Sequence, residues 1–220
     1  MKQVLSWEEA HLESKAPSKP SSNKDHLKDW HKEALANPKH EQLQQHAEEY
    51  NKDLDHDHIE AIHSYVLDSG PVNQFHRTGK YFNGWMDDTI HHDTKHLDKV
   101  TQHSTKHPTV VYRGIHHSMR NLKPGTQFKD KGFVSTSLDK HSAKNVANEY
   151  NEYPKEKSTV ARIFLPEGSK GNYLNTLPDL SDYKEYLLPR NQHFKVLGHS
   201  TDKNGLHTID MELHHPKGKK

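Results

Sequence analysis

Cysteine is absent from this chain of 220 residues, and apolar residues are scarce. The absence of cysteine excludes a disulfide scaffold, a thiolate zinc site and a cysteine nucleophile. Only 30% of the residues are hydrophobic, and no apolar run approaches the roughly 20 residues that span a bilayer. The length suits one domain, or one domain with an appendage. A core can therefore form, but from only part of the chain.

Net charge is also nearly absent, because 31 lysines and arginines oppose 30 acidic residues. A net charge of +1 disfavours a dedicated nucleic-acid binder. Residues 1–15 contain no uninterrupted apolar stretch, so we expect no Sec-type signal peptide and no membrane partner. The expected location is the cytoplasm, including a host cytoplasm reached by phage or injection-type delivery.

Histidine, in contrast, is abundant, with 22 copies spread over the chain. Pairs such as His91-His92 and His103/His107 resemble metal-ligand spacings, but no His-Glu-x-x-His zinc motif accompanies them. Chance pairs are expected at this abundance. The sequence therefore predicts no metal site, and a histidine-rich surface whose charge responds to pH.

Apolar spacing divides the chain into a helical first half and a strand-rich second half. A proline and serine cluster makes residues 1–23 a predicted tail. Helical spacing recurs over residues 27–35, 43–50, 59–67, 85–97 and 142–150. Strand-like runs cover residues 109–112, 133–137, 159–165, 185–188, 193–197 and 208–213. Helices first and strands later indicate an α+β fold with an antiparallel sheet.

Three polar groups lie on or beside the predicted strands. Arg113 and Gly114 close the first strand, Ser135 lies in the second, and Glu185 opens a later one. Arginine suits bidentate phosphate recognition, and glycine lets a ligand approach the backbone. A carboxylate can stabilise an oxocarbenium-like sugar centre. On these grounds alone, surface polar residues of an α+β domain remain an open alternative.

Five segments of the second half carry a resemblance to a known family. They are Tyr112-Arg113-Gly114, Phe133-Val134-Ser135-Thr136-Ser137, Gly171-Asn172-Tyr173-Leu174, Glu185-Tyr186-Leu187-Leu188-Pro189-Arg190 and Phe194-Lys195-Val196. In this order they resemble the Arg-Ser-Glu class of mono-ADP-ribosyltransferases. That class includes clostridial binary-toxin and vegetative insecticidal enzymes, and the Alt and Mod enzymes of T-even phages. The resemblance covers about residues 58–199.

The resemblance implies a fold and a substrate. The fold is two packed antiparallel sheets with N-terminal helices, and NAD binds as substrate in the cleft between the sheets. We accordingly divide the chain into a flexible tail (1–23), a helical extension (24–55), a catalytic domain (56–213) and a basic tail (214–220). Tyr65 and Asn73 resemble the family's helix and loop beside the nicotinamide.

Residue roles also follow from the resemblance. Arg113 is expected to clamp the NAD phosphates, with Arg162 as a candidate second contact or a solvated strand arginine. The Gly114 backbone would face the nicotinamide amide. Ser135 would hold Glu185, which would bind the 2′-hydroxyl of the nicotinamide ribose. Thr136 and Ser137 would support the strand at the cofactor.

The acceptor side departs from the family pattern. Tyr183 stands where arginine-modifying members carry a second glutamate, two residues before Glu185, and Asp182 is a candidate substitute. Tyrosine, with an ordinary pKa near ~10, is no carboxylate base. The sequence predicts transfer of ADP-ribose to a macromolecule, with a protein and arginine leading and nucleic acid less favoured. NAD hydrolysis and an inactive NAD-binding or phage structural module stay open.

Overall fold

The structure, a computed structural model, describes residues 26–81, 87–149, 158–177, 180 and 184–214. Six helices lie among these residues: α1 (Asp29–Ala36), α2 (His40–Asn51), α3 (His56–Leu67), α4 (Gly70–Thr78), α5 (Asp87–Val100) and α6 (Lys140–Glu149). Local signals set their ends. The Asp55 side chain accepts a hydrogen bond from the His58 amide and caps α3, and Pro71 lies in the first turn of α4.

In the described part of the chain, eight strands follow the helical half, and α6 lies between the third and the fourth. They are β1 (Thr109–Ile115), β2 (Gln127–Asp130), β3 (Val134–Ser137), β4 (Thr159–Leu165), β5 (Asn172–Tyr173), β6 (Glu185–Leu188), β7 (Gln192–Thr201) and β8 (His207–Leu213). Their order is β2-β7-β8-β4-β1-β3-β6-β5. The expected antiparallel pairing holds for every neighbouring pair except β4 and β8, which run parallel.

The sheet divides into two halves at the contact between β1 and β3. These strands share a single register pair, Tyr112 with Ser137, whereas β1 and β4 pair along seven residues. Both halves contribute to the largest apolar core, for example Ile163 from one side and Leu188 from the other. The predicted α+β class is thus confirmed, and the two predicted sheets are the halves of one continuous eight-stranded sheet joined by this narrow contact.

Helices cover the sheet and support its central strands. Leu43 and Ala47 of α2 are buried in the main core. A second core places α3 and α5 against β6 and against Phe133, the residue before β3, through side chains that include Ile62, Leu97 and Leu187. Residues 24–55, predicted as an extension, therefore contain a helix that packs in the main core, and their separation from residues 56–213 remains a prediction.

The predicted elements are largely found, with three omissions. Helix α4 and strands β2 and β5 were not predicted, because each is short and carries few apolar residues. The predicted tails, residues 1–23 and most of 214–220, lie outside the described residues. Among the helices that are described, none combines the length and apolarity needed to cross a membrane.

Candidate active site

Three adjacent strands bring Arg113, Ser135 and Glu185 together. Strand β3 lies between β1 and β6 and pairs Ser137 with Glu185. The Arg113 Nη1 atom donates a hydrogen bond to the Ser135 carbonyl oxygen. All three side chains belong to residues that are partly accessible to solvent. The guanidinium and the carboxylate both act on the pKa of the Tyr65 hydroxyl, so they lie near one another at the narrow contact between the two halves of the sheet.

Tyr65 of α3 contacts the strand that carries Ser135 through hydrogen bonds of its hydroxyl group. Its buried hydroxyl lies 3.2 Å from the Ser135 Oγ atom and donates to the Phe133 carbonyl oxygen at 3.3 Å. Burial, and then the nearby Glu185 carboxylate, raise the pKa of Tyr65 to about 12, whereas Arg113 lowers it. The hydroxyl therefore keeps its proton at neutral pH and acts as a fixed hydrogen-bonding group.

Both polar atoms of the Asn73 side chain, on α4, form hydrogen bonds within the protein. Its Oδ1 atom accepts from the Phe133 amide at 2.8 Å, and its Nδ2 atom donates to the Tyr65 hydroxyl at 3.0 Å. A Cβ atom at Gly132 would lie 2.6 Å from that Oδ1 atom, so the turn requires glycine there. Asn73 was predicted to bind the cofactor, but at 5% exposure it lies behind the site and holds β3 in position.

The backbone that leads into Glu185 is fixed from two sides. Lys184 has a φ of 45°, in the left-handed region that costs a non-glycine residue about 1–2 kcal/mol. Its carbonyl oxygen accepts from the Ser137 Oγ atom at 3.1 Å and from the Leu138 amide at 3.2 Å. The Glu185 amide donates to the Asn175 Oδ1 atom at 3.1 Å. These contacts hold the carboxylate at the start of β6.

Two residues of this arrangement carry no sequence signal. Asn175 lies in a 3₁₀ turn, Leu174–Thr176, and Asp139 forms an ion pair with Lys184 at 3.3 Å. Neither belongs to a motif, so only the fold identifies them. Thr136 and Ser137 were predicted beside the cofactor. The Thr136 hydroxyl donates to the Tyr186 carbonyl oxygen, so both hydroxyls bind backbone and tie β3 to the chain around Glu185.

Arg162 differs from its predicted role as a phosphate contact. Its Nε and Nη2 atoms donate to the two carboxylate oxygens of buried Asp210, at 2.6 and 2.9 Å. In the ladder Arg162 pairs with Tyr112, whereas Arg113 pairs with Ala161. Because side chains alternate along a strand, Arg162 lies on the face opposite Arg113. Its guanidinium is a structural group of β4 and β8.

Gly114 also has a structural reason to be glycine. A Cβ atom there would lie 2.5 Å from the Ala143 carbonyl oxygen and 2.5 Å from the Ala147 amide nitrogen. The missing side chain therefore allows α6 to pack on β1. The residues predicted on the acceptor side, Asp182 and Tyr183, lie outside the described residues.

A cavity of about 380 Å³ lies on the other face of β1. It is bordered by Val110 and Tyr112, by Lys184, and by residues of α1 and α2. Arg113, Ser135 and Glu185 are not among the residues that line it. This cavity is thus distinct from the site of the three predicted catalytic residues.

An arginine, a serine strand and a glutamate on three adjacent strands, in an α+β fold that narrows at their contact, are the arrangement that the Arg-Ser-Glu resemblance implies. The family model of the ADP-ribosyltransferase exoenzymes matches residues 40–215. The chain therefore belongs to the ADP-ribosyltransferase exoenzyme family, and the resemblance seen in the sequence is confirmed.

Individual relatives agree with this assignment. The chain is 25% identical over 156 residues to NAD(+)--arginine ADP-ribosyltransferase EFV of Enterococcus faecalis, covering 70% of this chain and 31% of that protein. It thus spans about a third of the length of this curated relative.

Solved toxin structures share the fold. Plx2a, an ADP-ribosyltransferase toxin from Paenibacillus larvae, superposes with a TM-score of 0.63 at 16% identity, over 80% of this chain and 94% of that chain. The C3 exoenzyme of Clostridium limosum gives 0.59 at 18%, over 84% and 94%. The C. perfringens toxin component BECa, solved with NADH, gives 0.65 at 12%, over 80% and 47%.

Proposed function

We propose that this chain is an NAD-dependent mono-ADP-ribosyltransferase that releases nicotinamide and transfers ADP-ribose to a protein. The observation that carries the proposal is the joint placement of Arg113, Ser135 and Glu185 on adjacent strands, with Tyr65 behind them. Family membership supports the same activity. NAD is a substrate here, and its cleavage is assigned to the side chains described above.

Arg113 and Glu185 have separate roles in this proposal. Arg113, oriented by its bond to the Ser135 carbonyl oxygen, binds the diphosphate of NAD. Glu185 accepts a hydrogen bond from the 2′-hydroxyl of the nicotinamide ribose. Tyr65 and Ser135 position these groups and donate or accept hydrogen bonds without changing charge, because the raised pKa of Tyr65 keeps its hydroxyl protonated.

The barrier explains why a fixed carboxylate matters. The nicotinamide of NAD is already a cationic leaving group, so its departure needs little acid catalysis. Positive charge develops on the ribose as the bond to nicotinamide breaks. A carboxylate held beside that charge stabilises the transition state more than the ground state. The backbone contacts of Lys184 and Asn175 fix Glu185 before NAD binds, so no reorganisation is needed during the reaction.

Arginine is the proposed acceptor side chain. The arginine-directed activity for which the Enterococcus faecalis relative is named supports this choice. Tyr183 and Asp182 precede Glu185 and are the proposed acceptor-side residues. A guanidino nitrogen of the acceptor arginine attacks the ribose from the face opposite the departing nicotinamide and gives up a proton, for which the Asp182 carboxylate is the proposed acceptor. The toxin neighbours favour a host protein in the cytoplasm as the target, with NAD hydrolysis as the background reaction when water replaces the acceptor.

The test is the Glu185→Gln variant, which keeps the side-chain shape and removes the charge. We expect nicotinamide release and ADP-ribose transfer to a small guanidino acceptor to fall by about 10²–10³-fold, the loss typical of one electrostatic catalytic group. Glu167→Gln, at an exposed turn, is the matched control and should keep full activity. Both variants should melt at the wild-type temperature.

Two outcomes would contradict the proposal, the first in its catalytic residue and the second in its acceptor. Unchanged nicotinamide release by Glu185→Gln would remove the catalytic role of the carboxylate. If release is lost only in Glu185→Gln but mass spectrometry of a treated host lysate finds ADP-ribose on side chains other than arginine, the transferase stands and the acceptor is wrong.

A further inference from the structure

Helices α3 and α5 bring together a second group of polar side chains, two helical turns from Tyr65. Asp55, Asp57 and His58 belong to the start of α3, and His92 and His96 lie on α5. Their ligand-type atoms form two overlapping groups of three: Asp55, His58 and His96, and Asp57, His92 and His96. Within each group these atoms all lie within 4.8 Å of one another. His96 is common to both groups.

His96 has an unsatisfied atom in this cluster. The residue is 4% exposed, and its Nδ1 atom is buried with no hydrogen-bond partner among the residues that the structure describes. A buried polar atom without a partner is costly and requires an explanation. Burial, and then the neighbouring His92 and His58, lower the pKa of His96.

The other two histidines are oriented by carboxylates, as metal-binding histidines usually are. The Nδ1 atom of His58 is hydrogen-bonded to Asp55. The Nδ1 atom of His92 lies 3.3 Å from the Oδ1 atom of buried Asp93, whose Oδ2 atom accepts from the Ser64 hydroxyl at 2.7 Å. Each ring thus keeps its Nε2 atom for another partner. The rings of both lie against His96, with centroids 4.9 Å (His58) and 4.6 Å (His92) away.

We propose that Asp57, His92 and His96, whose ligand atoms lie within 4.8 Å of one another, bind one divalent transition-metal ion of the zinc class, with the ring of His58 packed beside His96 and the fourth position open to a water molecule. Imidazole and carboxylate groups in fourfold coordination are a zinc-type ligand set. His92 and His96 are one helical turn apart, so they lie on the same face of α5. Asp57 is exposed and opens the site to solvent.

The distances require only small adjustments. With zinc–nitrogen bonds near 2.0–2.1 Å, tetrahedral ligand atoms are roughly 3.4 Å apart. The ligand atoms within each group lie within 4.8 Å, so side-chain rotations that move atoms by about an ångström complete the coordination.

The consequence of binding is structural. The ion cross-links α3 and α5, the two helices that pack against β6 and Phe133. Tyr65 follows His58 by seven residues on α3, which is about 10 Å along the helix axis. The metal thus braces the helix that carries Tyr65 without touching the reacting groups. This site is independent of the proposed transferase activity.

The histidine content demands a matched control, because 22 histidines bind metal ions weakly in many places. The test variant is His96→Gln, and the control variant is His91→Gln. The His91 side chain lies on the same helix, is 57% exposed and is outside the cluster. Zinc affinity is measured on the full chain by competition with a chromophoric chelator. We expect one tight equivalent in the wild type and in His91→Gln, and at least about a 100-fold weaker affinity in His96→Gln.

Two further measurements keep the test decisive. Saturating zinc should raise the melting temperature of the wild type and of His91→Gln, and leave that of His96→Gln unchanged. If His96→Gln does not fold, His92→Gln replaces it, since that side chain is 40% exposed and tolerates substitution. Co²⁺ should give the absorption bands of a tetrahedral site in the wild type and in His91→Gln, and not in the cluster variants.

Equal zinc affinity and equal thermal stabilisation in the cluster variants and in His91→Gln would overturn the proposal. Nicotinamide release separates this result from the proposed function. Metal-free protein that releases nicotinamide but binds no tight zinc contradicts the metal site alone. Protein that binds one zinc ion but releases no nicotinamide contradicts the transferase alone.

Discussion

Arg113 and Arg162 lie on neighbouring strands, and the comparison between them explains the organisation of the molecule. Arg113 on β1 contacts the Ser135 carbonyl oxygen at the junction with β3. Arg162 on β4 is held in a fork by Asp210, to which His26 also bonds at 2.8 Å. Both arginines lie on one antiparallel pair of strands, and the face of the strand distinguishes Arg113, the proposed ligand of the NAD diphosphate, from Arg162, which is paired with Asp210.

The same comparison applies to the surroundings of the two arginines. On the face of Arg162, the buried Phe164 ring packs against Trp30 and the buried His31 of α1, which closes that side with apolar contacts. On the face of Arg113, the neighbours are the hydroxyl of Tyr65 and the strand that carries Ser135. Arg113 is therefore a polar, partly accessible position on the face whose neighbours Val111 and Ile163 belong to the main core, whereas Arg162 lies on the face that α1 partly covers.

Substituting the two arginines gives the largest expected contrast. Arg113→Lys should raise the KM for NAD by about 10–100-fold, because the lysine loses one charge-assisted bond to the diphosphate, which contributes about 1.5–3 kcal/mol. Arg162→Lys should leave that KM unchanged and lower the free energy of unfolding by about 1.5 kcal/mol, for one lost bond to Asp210. Initial-rate kinetics and urea unfolding measure the two effects. An increase of KM in Arg162→Lys would reverse the assignment.

A stability effect without a binding effect should follow from Gly114→Ala. The new Cβ atom would lie 2.5 Å from backbone atoms of α6, and such overpacking costs about 1–3 kcal/mol. Thermal unfolding measures this loss, and NAD affinity of the folded fraction should stay at the wild-type value. Wild-type stability with a raised KM would instead mean that the Gly114 backbone faces the substrate.

Tyr65→Phe should affect positioning more than binding. The variant leaves the Asn73 Nδ2 atom without its acceptor and frees the Ser135 hydroxyl, at a cost of about 1–3 kcal/mol in stability. We expect kcat for nicotinamide release to fall by about tenfold, since a loss of 1.4 kcal/mol in the transition state has that effect. The KM for NAD should change by less. Steady-state kinetics with a denaturation curve separates these contributions, and an unaffected kcat would contradict the role of Tyr65.

The smallest effect is expected for the pH dependence of stability, through His207 at the start of β8. Burial, and then Arg120 and His199, lower the pKa of His207 to about 4. Between pH 6.5 and 4 the unfolded state therefore binds a proton that the folded state does not, and stability falls as the pH drops. His207→Gln should lessen this fall by a few degrees in melting temperature, at about 2–4 °C per kcal/mol. The exposed His141→Gln is the control, and equal acid sensitivity in both variants would contradict this source.

The strands of the site were predictable from sequence because each follows a simple signal. The runs Thr159–Leu165 and Glu185–Leu188 are bounded by turn residues, and the structure gives these strands the same bounds. The order of Arg113, Ser135 and Glu185 along the chain indicates the family. These three residues come together because β3 lies between β1 and β6. That order depends on pairing between segments that are distant along the chain, which no local sequence pattern shows.

The errors have physical causes as well. Arg162 was a candidate phosphate contact because a sequence shows a strand arginine but not its partner, and Asp210 lies on a parallel neighbouring strand that local patterns do not reveal. Asn175 was missed because a single asparagine in a short turn carries no periodicity. The histidine cluster was missed because His58 belongs to a different helix from His92 and His96.

The most direct test of the central claim is a crystal structure of Glu185→Gln with NAD. The central claim is that one NAD molecule is bound by Arg113 and cleaved beside Glu185. We predict electron density for intact NAD with its diphosphate on the Arg113 guanidinium and its nicotinamide ribose beside residue 185. NAD bound in the cavity next to Tyr112, on the opposite face of β1, would contradict the account.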